Sequence, residues 1–184
     1  LVGSEMCIRD SEWASPGHRE CMIGNNSISL LTDAWMKGIR TICPEKALEA
    51  MIHQTEARHP GISSVGRDGF GYYDRLGYVP YPEVHEATAK TLEYAYADWC
   101  VARFADSIGR KEIADTYYRK ALNYRNLYYP DYGFMWAKDA NGKWRDAFDA
   151  TEWGGPFTEG SSWHWTWSVL HDPEGLSRLM GGHT

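Results

Sequence analysis

The chain has 184 residues and a formal charge of −6, from 25 acidic and 19 basic side chains. No basic run is present, which argues against a surface that tracks nucleic-acid phosphates, and no apolar stretch is long enough to span a bilayer. Hydrophobic residues make up 43% and charged residues 24%, the balance of a chain that folds around a core, while 9 Trp, 12 Tyr and 5 Phe form an unusual load of large rings. Such rings serve cores and carbohydrate-binding clefts alike.

Residues 1–14, opening LVGSEMCIRD, read as a non-native or disordered N-terminal stretch, and SEWASPGHRE at 11–20 as loop. Asn26 or Ser27 can cap a first helix, ISLLTDAWMKGI, with Ile28, Leu31, Ala34/Trp35 and Ile39 near one face. Pro44 opens a second, PEKALEAMIHQTEAR, whose apolar face is Ala47, Leu48, Met51 and Ile52, ended by Pro60-Gly61. GRDGFGYYDRLGYVPYP lacks periodicity and reads as a structured loop. Pro82 then pre-sets entry to EVHEATAKTLEYAYADWCVARFADSIG, with Leu92, Ala95/Tyr96, Trp99 and Ala102 at helical spacing and Gly109 as its stop. RKEIADTYYRKALNYRNLY repeats the pattern through Ile113, Tyr117, Ala121 and Tyr124, and the short connection between the two predicts antiparallel neighbours. Beyond Tyr129, the D-A-N-G turn is flanked by Phe134–Trp136 and Trp144 as short strands. Asp172-Pro173-Glu174 caps and starts a last helix running to Met180. The fold class is all-α, antiparallel helix pairs carrying long aromatic loops, and loops of that length commonly hold a ligand.

Cys7, Cys21, Cys43 and Cys100 have no CxxC spacing and read as free thiols. His164, His171 and Asp172 lack a ligand geometry, HEA at 85–87 lacks the second histidine of a zinc-protease helix, and Asp139, Asn141 and Asp146 do not form a calcium loop, so no metal ligand is assigned in the chain.

The chemistry-bearing stretch is WGGPFTEGSSWHWTWSVLHD at 153–172. Glu159 is preceded by Gly154, Gly155 and Pro156 and followed by Gly160, so its backbone can approach another surface closely. Trp153, Phe157 and Trp163 are near enough in sequence to wall it with apolar surface, which would raise a carboxyl's pKa toward that of a general acid. The competing reading has Glu159 capping a helix near Ser161 or facing solvent. The alternation of Trp163, Trp165 and Trp167 fits a strand or a helix, and at least two of the four tryptophans, counting Trp153, are expected in the core. Glycoside hydrolysis needs a second carboxylate across the cleft. Asp149, Glu152 and Asp172 are the local candidates, and spacing selects none of them over a residue elsewhere.

At this point the chain resembles glycoside hydrolase family 92, the calcium-dependent alpha-mannosidases. WGGPFTEGSSWHWTWSVLHDPEGLSRLMGG is similar to the family's FxEGNxWQYxWxVPHDxxGLxxLMGG segment. MIGNNSISLLTDAWMKGIR, GYYDRLGYVPY and EATAKTLEYAYADWCVARFADSIG support it. The resemblance implies that residues 15–184 are part of a catalytic (α/α)6 toroid of an inverting, exo-acting alpha-mannosidase that cleaves mannose-containing glycans. It puts Glu159 on the family's general acid, with Trp163 and His164 toward substrate. Ser161, His164 and Trp165 depart from the family's Asn, Gln and Tyr, and Asn25-Asn26 replaces a pair that carries an imidazole in the family. The family's GNEPSHH and GN-D-GxMSAW stretches, which lie downstream of LMGG, imply that the base and most calcium ligands belong to missing N- and C-terminal parts of the same protein, and that this piece alone is inactive. The family also favours a periplasmic or extracellular place. The rival readings are a non-catalytic helical carbohydrate-binding domain and another (α/α)6 glycosidase.

Overall fold

The computed structural model describes residues 23–58, 60 and 66–182. Cys7, Cys21 and the stretch 1–14 lie outside them. The described residues are mostly helical: α1 (Asn26–Met36), α2 (Pro44–Gln54), α3 (Phe70–Leu76), α4 (Ala87–Ser107), α5 (Lys111–Ala121), a 3-10 turn at Leu122–Leu127, α6 (Ser162–Trp165) and α7 (Pro173–Leu179). The two strands, β1 (Tyr128–Tyr129) and β2 (Phe134–Met135), pair antiparallel with Tyr128 opposite Met135. No helix among the described residues is long and apolar enough to cross a membrane.

Several boundaries move for local reasons. Asn25, not Asn26 or Ser27, caps α1, its side-chain oxygen accepting the Ser27 N–H at 3.1 Å. Ile28 and Trp35 are buried as the periodicity requires, but the helix ends at Met36 and leaves Ile39 exposed. Pro44 opens α2, which closes on Thr55, well before Pro60. The stretch read as pure loop holds α3, bounded by Gly69 and Gly77 in the left-handed region. A Cβ on Gly77 would lie 2.5 Å from Asn126 Nδ2, so a larger residue there must displace that side chain as well as hold a left-handed backbone. Pro82 does not start α4. The chain turns through 81–86, and only after Glu86 (φ 55) does the helix begin. β2 pairs with Tyr128–Tyr129 upstream, while the D-A-N-G turn is closed by one bridge, Lys138 to Trp144, and by Asp139 Oδ1 accepting the Asn141 and Lys143 N–H groups.

The chain divides into two compact units. In the first, residues to Phe70 join Ala97–Ala121. Trp35 packs on Phe104 with ring centres 5.3 Å apart and donates its indole N–H to Ser107 Oγ at 2.9 Å. The Thr55 and Tyr117 hydroxyls meet at 2.6 Å, and Arg67 pairs with Asp98 at 2.8 Å, both side chains buried. Neutralising one member strands the other charge out of water, at a cost of about 3–5 kcal/mol. Asp98→Asn is therefore expected to destabilise this unit by that order in urea unfolding, and a loss below about 1 kcal/mol would mean that solvent reaches Arg67.

In the second unit, Gly71–Tyr96 join the residues from Leu122 onward. Its larger core gathers Tyr78, Leu92, Ala95, Tyr124, Leu127, Tyr128, Met135, Val169 and Leu176, with Leu76, Trp165 and Met180 packed against it. A smaller one is Tyr73, Val79, Ala87 and Tyr94. This unit carries the whole stretch around Glu159.

Candidate active site

The loop from Trp153 to Ser161 is pinned at both ends and at its base. The first turn of α4 has N–H groups without partners inside the helix, and Thr88 and Ala89 both donate theirs to the Pro156 carbonyl, at 3.0 and 3.2 Å. Glu86 N–H reaches the Gly155 carbonyl at 3.2 Å, and Gly154 N–H closes the loop on the Gly160 carbonyl at 2.8 Å. Phe157 turns inward, fully buried, toward Trp136. Glu159 stands at the crest of this loop, exposed, with φ 43. A side chain in the left-handed region costs roughly 1–2 kcal/mol relative to ordinary backbone, and a glycine would avoid that cost. Glu86 and Ala147 share a positive φ, so strain alone does not single Glu159 out. Strain combined with exposure between two exposed tryptophans does.

The apolar wall expected around Glu159 is open. Phe157 faces the core, while Trp153 and Trp163 are 66% and 51% exposed. Trp167 is 55% exposed, so of the four tryptophans only Trp165 packs on the core, against the expectation of two. Among the described residues the buried tryptophans are Trp35 and Trp136. The segment 162–165 is helix, which places Trp163 and Trp165 on different sides of a single turn.

Glu159 does not cap that turn; Ser161 does. His164 Nδ1 accepts the Ser161 backbone N–H at 3.1 Å and lies 3.0 Å from its hydroxyl, the reciprocal arrangement of a capping box. Because Nδ1 accepts from an N–H, the neutral ring carries its proton on Nε2. His164 is exposed, its ring edge-on to Trp153 at 5.6 Å. Trp163 rests edge-on against Phe134 at 4.8 Å, and Phe134 continues through Phe148 to Tyr132. Glu159, Trp163 and His164 thus share one loop-and-turn segment, each exposed.

The three candidate partners are all occupied structurally. Glu152 forms a two-pronged pair with Arg145, at 2.7 and 2.8 Å. The Thr151 hydroxyl and N–H hold the exposed Asp149 carboxyl below the usual range. Asp172 caps α7 through the Gly175 N–H and also accepts from Tyr124 and Arg125. Burial opposes its charge, but those hydrogen bonds outweigh burial and hold its carboxyl below the usual range. None is placed as a free base for water. The desolvated carboxyl that sequence reasoning sought belongs instead to Glu93 on α4, which burial raises. Its signal was a lone acid in the otherwise apolar LEYAYA run. Among the described residues no group of three or more His, Cys, Asp or Glu could hold a metal ion. The exposed Cys43 and the buried Cys100 are in no disulfide.

The glycosyl hydrolase family 92 catalytic domain model matches residues 9–184, and the chain belongs to that family. Among solved structures it is similar to a family GH92 inverting mannosidase from Bacteroides thetaiotaomicron VPI-5482, 82% identical with a TM-score of 0.90, over 94% of this chain and 23% of that one. It is also similar to a family GH92 alpha-mannosidase from Bacteroides thetaiotaomicron, 32% identical with a TM-score of 0.82, over 90% of this chain and 21% of that one. An uncharacterized secreted glycosidase of Arthroderma benhamiae is 26% identical over 88% of this chain and 25% of its own length. The chain spans about a quarter of the length of these relatives.

Proposed function

We propose that residues 15–184 are part of the (α/α)6 catalytic domain of an inverting, exo-acting alpha-mannosidase, and that Glu159 is its general acid. The observation that carries this is the placement of Glu159 at the crest of a loop held by α4, in a backbone conformation that glycine would occupy at lower cost. Family membership and the inverting mannosidase neighbour support the reaction class.

In this reading the Glu159 carboxyl donates its proton to the glycosidic oxygen as the bond to the anomeric carbon breaks. Water attacks the opposite face, its proton taken by a carboxylate from another part of the enzyme, since Asp149, Glu152 and Asp172 are committed elsewhere. Packing of the complete enzyme over the crest would exclude water from around Glu159 and the glycosidic oxygen. Trp163 offers a ring face to the sugar, and His164 offers its Nε2–H to a hydroxyl. Calcium belongs in this proposal only to the complete enzyme, with ligands outside the described residues. A periplasmic or extracellular place is supported by the secreted relative.

The test is the anomeric configuration of the first mannose released by the complete enzyme, followed by proton NMR, together with a structure bound to an uncleaved alpha-mannobiose analogue. Beta-mannose is expected first, with Trp163 and His164 within contact distance of the sugar. Alpha-mannose first would overturn the inverting mechanism. Both side chains lying beyond contact would remove them from the site.

A further inference from the structure

The backbone is tethered one residue before and one residue after Glu159, through the carbonyl oxygens of Thr158 and Gly160. Gly160 O accepts the Gly154 N–H at 2.8 Å, and Thr158 O accepts the indole N–H of Trp165 at 2.8 Å. The Trp165 ring packs on the core built by Leu92, Tyr124, Val169 and Leu176. Its N–H therefore reaches the loop from a fixed base. Gly160 keeps that reach open: a Cβ there would lie 3.1 Å from Trp165 Nε1 and 3.3 Å from Cδ1, tighter than ordinary contact. The arrangement differs from a merely buried tryptophan, because the bond ends on the carbonyl that leads directly into the left-handed residue.

We infer that Trp165 is a positioning residue for Glu159: its indole hydrogen bond to the Thr158 carbonyl holds the Glu159 backbone in the left-handed conformation that aims the carboxyl. The inference rests on the reading of Glu159 as general acid. Without the tether the backbone is free to relax to a commoner conformation, which swings the side chain off its aim. A misplaced acid slows only those substrates whose leaving group needs a proton, so the consequence is selective.

The experiment uses the complete enzyme with Trp165→Phe, which keeps an aromatic ring but removes the donor, and Gly160→Ala, which presses on the donor from the other side. Phenylalanine is smaller, so folding is checked by thermal unfolding, and Gly160→Ala carries the test if Trp165→Phe does not fold. Each variant is assayed on an alpha-mannobiose and on an aryl alpha-mannoside with a good leaving group. Trp165→Phe is expected to lower kcat on the disaccharide roughly 10- to 100-fold, with KM within about twofold, and to affect the aryl substrate far less; Gly160→Ala should show the same pattern more weakly. Equal losses on both substrates, or no loss in either variant, would overturn the inference. Glu159→Gln in the same assay keeps the two proposals apart. If it retains disaccharide turnover, the acid assignment fails and takes this inference with it. If it does not, and the two variants are unselective, the positioning role alone fails.

Discussion

Glu159→Gln in the complete enzyme is expected to lower turnover of an unactivated alpha-mannobiose by about 10²–10⁴-fold, the range that general-acid donation contributes. The amide has the shape of the carboxyl but no acidic proton. The crest is exposed and its loop is held by backbone groups and by Phe157 and Trp165 rather than by the Glu159 carboxyl, so the variant should unfold at the parent temperature. An aryl mannoside whose leaving group departs without protonation should lose far less. The two substrates assayed together separate loss of a proton donor from loss of the site as a whole. Near-parent turnover of the disaccharide would end the assignment and would direct attention to Glu93, the carboxyl that burial raises.

The helices were legible where apolar residues recur every third or fourth position and a proline or cap marks the start. Pro44 opening α2 and Asp172-Pro173 opening α7 are both found as expected. The sequence misled where backbone conformation rather than composition decides. α3 is one short helix between two left-handed glycines, too brief to show periodicity. The late start of α4 turns on Glu86 adopting φ 55, which no propensity announces.

At the site, glycine spacing marked the loop correctly, but proximity in sequence did not say which way each ring would face. Phe157 and Trp165 went to the core, while Trp153, Trp163 and Trp167 went outward. The commitment of Glu152, and of Asp172 beyond its cap, was invisible because their partners are set by loop closure. Arg145, Tyr124 and Arg125 are donors whose pairing depends on the folded path between them and those carboxylates.

Residues 1–184 expressed alone are expected to release no mannose above background and to bind calcium no more tightly than a surface carboxylate does. In the proposed reading Glu159 supplies the donor side of the reaction, but inversion needs a second carboxylate that activates water on the opposite face. Asp172 is spent capping α7 and anchoring Tyr124 and Arg125, Glu152 is locked on Arg145, and Asp149 closes a local turn with Thr151. Each would have to give up the hydrogen bonds that hold it in order to serve. Calcium asks for six to eight oxygens converging on one point, whereas the described residues offer no cluster of three His, Cys, Asp or Glu. Relatives about four times as long share this fold over this stretch, which leaves ample chain to supply both. Calorimetric titration of the purified piece with calcium, beside reducing-sugar release from an alpha-mannobiose, measures the two claims separately. Stoichiometric tight binding together with multiple turnovers would show that the chemistry is complete within these residues. One of the three committed carboxylates must then leave its partner during the reaction, and replacing Arg145 or Tyr124 would raise the rate by freeing it.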